Sequence, residues 1–583
     1  MVLGLPYRAV WLMDFEFIAR PGELPEPVCL VARELGTGRL LRYWQGEFPD
    51  SPPFDVGSES LFVAYLASAE LGCFLQLGWP LPVRVVDLYV EFRRETNGLS
   101  VPAGRGLLGA LSHHRISAIT SEEKHDMRAL VMRGGPWTDA ERRDILAYCQ
   151  TDVDPLGALL ERVLPGILAS PRGWGRALLR GRYMCAVARM EHAGIPIDTE
   201  LLQLFREKWP FIKATLIQMV DRHYGVYVGT TFKAGLFDAW LAERRIPWPV
   251  TPTGRLSLSD DAFKEQARAY PELEPLRQLR KSMSSLRIEK LEVGTDGRNR
   301  CLLGPFGASS SRNTPSASKF AFGPSVWLRG LIRPEPGRAL AYIDYTAQEV
   351  AIVAALSRDR VLIDAVTTGD PYLAFAKLAR LVPAEATKDS HRAIRDRCKA
   401  SLLGVNYGMG AASLALRVGG SRLEAENLLR LLARTFPVFT RWSEEVADAA
   451  ELRGSLQTVF GWPLHITETT RATRLRNFPA QANAAEMLRL ACCLASEAGV
   501  MVDAPVHDAL LIEAPEGDIT EAITVTQSAM TEASRIVLDG LEVGTDVHEV
   551  VWPDRLIDPR GQDMWDRVLA LLQRDPFKVA KVA

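Results

Sequence analysis

The stretch AYIDYTAQEV, residues 341–350, opens with a short apolar run and continues into a segment with helical apolar periodicity. The run is too short for a helix of its own, so we expect a buried β-strand. Asp344 then lies at the end of that strand, where a rigid backbone can hold its carboxylate in a cleft. An aspartate here is equally typical of a helix cap, so its role depends on the rest of the chain.

Two further segments match this setting. In VHDALLIEA, residues 506–514, a His-Asp pair interrupts an apolar run, which indicates the tight turn of a β-hairpin and places Asp508 at its tip. In RDRCKASLLGVNYG, residues 395–408, residues spaced four apart would lie on one face of a helix. This face has two cations at one end and an aromatic ring at the other. That face carries Arg395, Lys399, Leu403 and Tyr407.

Two carboxylates that share divalent metals, together with cations for a polyphosphate, are what phosphoryl transfer requires. The three segments, in this order, resemble motifs A, B and C of the DNA polymerase I family (family A). The resemblance implies that Asp344 and Asp508 hold two Mg²⁺ ions, with Mn²⁺ able to substitute. It also implies catalytic assistance from Lys399 and a set of substrate-binding residues: Arg395, Lys399, Leu403, Tyr407, Glu349, His507, Gln481, Asn477 and Arg312.

Within that set, the resemblance gives several residues a specific role. Arg395 and Lys399 bind the β- and γ-phosphates, and Glu349 is a steric gate against a ribose 2′-hydroxyl. Tyr407 closes over the nascent base pair or the template base. Asn477 and Gln481 resemble an Asn-x-x-x-Gln helix start that meets the minor groove, where such side chains can read acceptors common to all correct pairs.

Nearer the N-terminus, AVWLMDFEF, residues 9–17, alternates as a strand that points Asp14 and Glu16 to one side. Residues 141–154 predict a helix with Tyr148 and Asp152 one turn apart. These segments resemble the DEDD-type 3′–5′ exonuclease in its tyrosine variant. The resemblance implies a metal site formed by Asp14, Glu16, Glu70 and Asp152, and a catalytic Tyr148 that orients the attacking water.

The fourth exonuclease carboxylate is open between two residues. Glu70 lies where the resembled family has an aspartate, with Leu66 at the position of its asparagine. Asp87 is the rival, although the family often carries a non-catalytic aspartate there. We favour Glu70, since a carboxylate of either length can bind Mg²⁺.

Composition limits the remaining possibilities. The chain has 583 residues, 47% of them hydrophobic and 24% charged, and a net charge of −2, so any nucleic-acid contact must come from local basic patches. The eight cysteines show no zinc spacing, and no stretch approaches the length of a membrane span. We expect a cytoplasmic monomer that contacts no membrane and binds primer-template DNA and deoxynucleoside triphosphates, and leave open replisome accessory proteins as further partners.

The resemblance implies an α/β and α+β multidomain fold, with an RNase H-like exonuclease domain followed by a right-hand polymerase domain. Before the catalytic strand, a basic stripe of Arg277, Arg280, Lys281, Arg287 and Lys290 suggests a thumb helix that grips duplex phosphates. The expected ranges are 1–170 for the exonuclease, 171–304 for the thumb and connecting helices, 305–375 for the palm with motif A, 376–470 for the fingers, and 471–583 for the palm with motif C and a C-terminal tail.

The function expected from these features is DNA-templated DNA synthesis with proofreading, in replication or repair. We expect no 5′-nuclease domain, since no sequence precedes Asp14 to encode one. A single-subunit RNA polymerase and a decayed polymerase that keeps only its exonuclease are the rivals. Two departures from the family bear on activity: Leu403 replaces an aromatic residue, and Ala509 replaces a frequent glutamate, so an auxiliary carboxylate is missing.

Overall fold

The protein is described by a computed structural model that covers residues 3–251, 253–285, 288–323 and 325–573. Its N-terminal part surrounds a five-stranded sheet in the order β3-β2-β1-β4-β5. The elements are β1 (Ala9–Ile18), β2 (Glu26–Glu34), β3 (Leu40–Trp44), β4 (Ser60–Ala64), α1 (Ala67–Gln76), β5 (Val85–Asp87), α2 (Leu88–Glu95), α3 (Leu107–His113), α4 (Ser121–Arg133), α5 (Asp139–Val153) and α6 (Leu156–Leu168).

The central strand β1 positions the acidic residues of this part. It pairs antiparallel with β2 and parallel with β4, and α1 and α5 pack against it. Because side chains alternate along a strand, the buried Met13 and Phe15 point into the core while Asp14 and Glu16 face the other side. The predicted strand and the predicted helix with Tyr148 and Asp152 are therefore both present.

A mostly helical part follows. Its elements are α7 (Gly173–Ala193), β6 (Ile195–Pro196), α8 (Thr199–Asp221), β7 (Tyr227–Val228), β8 (Thr231–Phe232), α9 (Ala234–Glu243), α10 (Asp260–Ala269), α11 (Glu274–Ser285) and β9 (Arg298–Asn299). α7 links the N-terminal part of the molecule to the C-terminal part, since it packs against α1 and β5 and also against later elements of the chain. A Cβ atom on Gly181 would lie 1.9 Å from the Val85 carbonyl oxygen, so α7 and β5 approach more closely than a side chain allows.

The predicted basic stripe on α11 is wrong for two of its members. Arg277 pairs with Glu274 at 2.8 Å, and its side chain is only 14% exposed. The Arg280 guanidinium lies over the rings of Phe232 and Phe263, at 4.0 and 4.6 Å from their centroids. Both cations thus interact with neighbouring side chains of this helical part instead of extending toward a phosphate backbone. Arg287 and the Lys281 side chain lie outside the described residues.

The C-terminal half surrounds a four-stranded antiparallel sheet in the order β13-β14-β10-β15. Its elements are β10 (Arg338–Tyr345), α12 (Gln348–Ser357), α13 (Arg360–Thr367), α14 (Pro371–Leu378), α15 (Arg392–Asn406), α16 (Ala411–Val418), α17 (Arg422–Thr435), α18 (Pro437–Arg453), β11 (Ser455–Gln457), β12 (Pro463–His465), α19 (Ala472–Glu497), β13 (Met501–Val506), β14 (Ala509–Pro515), α20 (Ile519–Val537), β15 (Thr545–Val551) and α21 (Gln562–Gln573). β10 is an interior strand, so its end is held from both sides.

The sequence gives no functional interpretation of the C-terminal tail, but the structure shows which parts of the molecule it contacts. The buried Trp565 of α21 packs its ring 5.8 Å from that of Phe205 and 6.3 Å from that of Trp327. Asp558 pairs with Arg329 at 2.8 Å, and Arg555 pairs with Asp198 at 2.5 Å. The tail therefore fastens α8 to the segment that leads into β10. Among the helices of the described ranges, none combines the length and apolarity that crossing a bilayer requires.

Candidate active sites in two acidic clefts

A cleft of about 690 Å³ opens above the end of β10, between the four-stranded sheet and helices α12, α14 and α15. Most of the residues predicted for the phosphoryl-transfer site line it: Arg312, Asp344, Glu349, Arg395, Lys399, Leu403, Tyr407, His507 and Asp508. Segments that are far apart in sequence thus converge on one cavity. Gln481 and Asn477, which were also predicted, do not line this cleft.

The acidic side of the cleft comes from three strands. Asp344 lies in register with Ala509 of β14, and Asp508 lies in the tight turn between β13 and β14. Burial, the charge of Asp508 and a hydrogen bond with Asp508 raise the pKa of Asp344 to about 7. The Oδ1 atom of Asp344 is buried without a hydrogen-bond partner in the described structure. Two close carboxylates with an unsatisfied oxygen fit a divalent cation.

Sequence reasoning missed a third carboxylate in this cleft. Asp546 of β15 lies directly opposite Asp344, on the side away from Ala509, and it lines the cavity. Its charge contributes to the raised pKa of Asp344. The strand-like segment after Gly544 was a usable signal, but nothing local shows that this strand pairs with β10.

The opposite wall is cationic and lies on α15. The Arg395 guanidinium and the Lys399 ammonium lie 5.3 and 5.4 Å from the ring centroid of Tyr372. Arg395 also pairs with Asp370 at 2.5 Å, and Asp370 caps α14 by accepting the Leu373 N–H. Sequence reasoning missed Asp370 and Tyr372, which orient the two cations. A carboxylate floor facing fixed cations can hold a metal-bound polyphosphate between them.

The predicted gate residue Glu349 is tied to the predicted aromatic residue. The Tyr407 hydroxyl donates to Glu349 Oε1 at 2.9 Å, and Gln481 Nε2 donates to that hydroxyl at 3.4 Å. Glu349 lies in the first turn of α12, whose preceding Ala347 adopts a φ of 54°. The carboxylate is therefore held at one edge of the cleft.

Asn477 lines a neighbouring pocket of about 410 Å³ that shares Tyr407 with the main cleft. The prediction that Asn477 begins a helix is wrong, because α19 starts at Ala472 and already includes it. The remaining lining residues are Thr469, Arg471, Thr473 and Arg474. The Asn477 Oδ1 atom is buried and finds no hydrogen-bond partner among the described residues.

A second cleft, of about 560 Å³, lies at the edge of the N-terminal sheet. The predicted exonuclease residues all line it: Asp14, Glu16, Glu70, Tyr148 and Asp152. One carboxylate oxygen from each of Asp14, Glu16 and Asp152 lies within 4.8 Å of the others. β1 contributes the first two and α5 the third, so the strand alternation and helix spacing seen in the sequence account for this convergence.

Burial makes this acidic group electrostatically costly. The pKa of Asp14 and the pKa of Glu16 are raised well above their ordinary values, by burial first and then by neighbouring carboxylates. Burial and the charge of Asp14 also raise the pKa of Glu70, although its Oε2 atom accepts the Phe15 N–H at 2.6 Å. Carboxylates buried this closely fit divalent cations.

The two candidates for the fourth carboxylate have different surroundings. Asp87 accepts hydrogen bonds from the backbone N–H groups of Tyr89 and Val90 as the cap of α2, and from those of Leu66 and Ala67. It does not line the cleft, whereas Glu70 does. The Asp87 carboxylate therefore serves as a hydrogen-bond acceptor for backbone N–H groups, whereas the Glu70 carboxylate lies in the cleft near Asp14.

Sequence reasoning missed a cation in this cleft. The Lys124 ammonium of α4 forms an ion pair with Asp152, and it lies 5.9 Å from the ring centroid of Tyr148. Tyr148 itself has a raised pKa, because of burial and the nearby charge of Glu16, so its hydroxyl keeps its proton. No motif marks Lys124, since α4 is charged along most of its length.

Comparison with known proteins finds a family resemblance in the C-terminal half. Residues 320–549 match the sequence profile of DNA polymerase family A. The DNA polymerase I of Chloroflexus aurantiacus is 27% identical over 390 residues, which cover 61% of this chain and 41% of that protein. The DNA polymerase of Mycobacterium phage L5 is 27% identical over 305 residues, which cover 51% of this chain and 49% of that protein. The match thus spans less than half of either relative's length.

A solved structure extends the likeness to nearly the whole fold. The POL domain of Pol1 from M. smegmatis, in complex with DNA primer-template and dNTP, matches with a TM-score of 0.69 and 20% identity. The match covers 93% of this chain and 95% of that chain. It confirms the predicted α/β and α+β multidomain fold with a polymerase right hand.

Proposed function

We propose that this chain, whose residues 320–549 match the sequence profile of DNA polymerase family A, is a DNA-templated DNA polymerase that also carries a 3′–5′ exonuclease. The observation that carries the polymerase proposal is a single cleft in which the Asp344–Asp508 pair faces Arg395 and Lys399. Primer-template DNA and deoxynucleoside triphosphates are the proposed partners, and the chain acts as a monomer.

The proposed roles follow from position in the cleft. Asp344 and Asp508 would hold Mg²⁺, which when bound activates the primer 3′-hydroxyl and neutralises charge on the triphosphate. Arg395 and Lys399 bind the phosphates that leave as pyrophosphate, and Tyr372 and Asp370 keep these cations in place. His507 borders the same cavity, where burial lowers the pKa of its imidazole, so it contributes no charge at neutral pH.

Selection of deoxynucleotides is assigned to Glu349. Its side chain blocks the space that a ribose 2′-hydroxyl requires, and the hydrogen bond from Tyr407 restricts its rotation. Asn477 and Gln481 lie beside Tyr407, and their proposed role is to contact the minor groove of a nascent pair. Arg312 lines the same cleft, and its proposed role is to contact the primer and template.

The second proposed activity removes nucleotides from the primer 3′ end. Asp14, Glu16, Glu70 and Asp152 would hold divalent metals, which when bound activate water for hydrolysis of the terminal phosphodiester. Tyr148 keeps its hydroxyl proton and can donate it to orient that water. Lys124 compensates part of the charge on Asp152. We propose the exonuclease for residues 1–170, the thumb for 171–304, and palm and fingers for the remainder.

One gel assay tests both activities. A labelled primer on a longer DNA template is incubated with Mg²⁺ and deoxynucleotides, with ribonucleotides, or with no nucleotide. We expect extension with deoxynucleotides that Asp344→Ala abolishes, and shortening without nucleotides that Asp14→Ala abolishes. Glu516→Ala, an exposed carboxylate at the far end of β14, is the matched control and should change neither. Shortening without extension would refute the polymerase, and extension by ribonucleotides would favour an RNA polymerase.

A further inference from the structure

Asp546 is an exposed residue of β15 that borders the same cleft as Asp344 and Asp508. It lies directly opposite Asp344 in the antiparallel pair of β15 with β10, so both side chains lie on the same face of the sheet. Like charges placed directly opposite one another destabilise a sheet. No hydrogen bond or ion pair to Asp546 forms within the described ranges, although the Arg560 guanidinium is close enough for the charge of Asp344 to raise its pKa.

Three segments of the chain thus place a carboxylate in the same cavity. Asp508 comes from the turn before β14, Asp344 from the end of β10, and Asp546 from the start of β15. The Asp344 Oδ1 atom is buried and lacks a hydrogen bond in the described structure. A bound cation would satisfy this oxygen, and its charge would offset that of all three carboxylates.

The spacing distinguishes two ways in which Asp546 could act. Among the described residues, the groups of three acidic or histidine ligands whose atoms all lie within 4.8 Å do not include Asp344, Asp508 and Asp546. At least one distance among these three carboxylates therefore exceeds 4.8 Å, so they do not form a compact set of direct ligands. Mg²⁺ gives up its water reluctantly and usually keeps several bound water molecules, which donate hydrogen bonds outward.

We propose that Asp546 is a positioning residue of the polymerase metal site, which accepts hydrogen bonds from water bound to the cation that Asp344 and Asp508 hold. This inference rests on the proposed polymerase function. It goes beyond that function by assigning a role to a strand that none of the polymerase motifs includes. Partners of this kind orient a metal's ligands, and their loss costs about 10- to 100-fold in metal affinity.

The test measures Mn²⁺ binding to the full chain by electron paramagnetic resonance, in an Asp14→Ala background that weakens the second metal site. We expect Asp546→Asn to weaken binding at the remaining site about tenfold. Glu549→Gln is the matched control, because Glu549 is exposed on the same strand but lies in register with Ala341 and faces the other side. It should leave Mn²⁺ affinity within about twofold of the parent, well short of the loss for a metal-site partner.

A second readout separates this role from a merely structural one. With metal removed by chelation, Asp546→Asn should unfold at the same or a higher temperature, because it removes a like-charge pair. A structural carboxylate would instead lower the unfolding temperature. In primer extension, the Mg²⁺ concentration for half-maximal rate should rise, while the rate at saturating Mg²⁺ changes little.

The outcomes are distinguishable. Unchanged Mn²⁺ affinity in Asp546→Asn, with Asp344→Asn strongly weakened, overturns the role of Asp546 and leaves the polymerase proposal intact. Equal weakening by Asp546→Asn and Glu549→Gln also overturns it, since general surface charge then explains the effect. Unchanged Mn²⁺ affinity in Asp344→Asn overturns the proposed polymerase metal site itself.

Discussion

Replacing Asp344 by asparagine should stabilise the metal-free protein while abolishing polymerase activity. Burial and the neighbouring charge of Asp508 raise the pKa of Asp344 from 3.8 to about 7, so the fold favours the protonated, neutral form. The unfolded chain binds fewer protons than the native one between these two values. Stability therefore falls as pH rises through that range, and the full cost is present above about pH 7.

The size of the effect follows from that shift. About 3 pH units at about 1.36 kcal/mol each give an upper bound of about 4 kcal/mol. Because Asp344 is only partly buried, water screens the repulsion, and about 1–2 kcal/mol is the discounted expectation. For a chain of 583 residues that unfolds as one unit, this corresponds to a rise in Tm of about 1–2 °C.

The assay is thermal unfolding in a chelator at pH 8 and at pH 5.5, with Asp344→Asn compared with the parent at each pH. The gain in Tm should be largest at pH 8 and smaller at pH 5.5, where the parent already carries the proton. Mg²⁺ should raise the Tm of the parent and have less effect on the variant. Glu549→Gln, an exposed carboxylate, controls for net charge. A lower Tm for Asp344→Asn at pH 8, or an equal gain at both pH values, would refute the reasoning.

Three further predictions concern the two clefts. Lys124→Met should lower the metal-free Tm, because it leaves Asp152 without its ion pair, and should enlarge the stabilisation by Mg²⁺. Both effects are measured by thermal unfolding, with Lys264→Met, at an exposed lysine of α10, as the control. A parent-like Tm for Lys124→Met would contradict this. Tyr407→Phe removes one hydrogen bond of about 1.4 kcal/mol to Glu349, so ribonucleotide incorporation should rise up to about tenfold relative to deoxynucleotides in single-turnover assays. Leu403→Phe should speed incorporation and change dideoxynucleotide discrimination, because it restores a ring beside the incoming sugar; unchanged rates would count against the role of Leu403.

Local sequence periodicity was sufficient to predict the orientation of a site residue where that residue belongs to a single helix or strand with one buried face. The alternation of β1 predicted that Asp14 and Glu16 point to the same side, and helical spacing predicted that Tyr148 and Asp152 lie one turn apart. The hairpin turn at His507 and Asp508 could be predicted from the sequence because apolar runs flank it. These features depend on a few neighbouring residues, so an isolated sequence contains them.

Features that depend on distant contacts were missed or wrong. Asp546 required the pairing of β15 with β10, and Lys124 required the packing of α4 beside α5; no short-range pattern encodes either. The basic stripe on α11 has the right spacing, but its periodicity could not show that Arg277 and Arg280 face a nearby acid and aromatic rings. The start of α19 was misplaced because the residues before Asn477 carry no capping signal.

The most direct test of the central claim is single-nucleotide addition by the Asp14→Ala variant, whose exonuclease should be inactive. A labelled primer is annealed to four templates that differ only in the first unpaired base, and each deoxynucleotide is supplied alone with Mg²⁺. The account predicts that only the complementary nucleotide is added efficiently on each template, and that Asp344→Ala removes the addition. No addition on any template, or addition that ignores the template base, would contradict it.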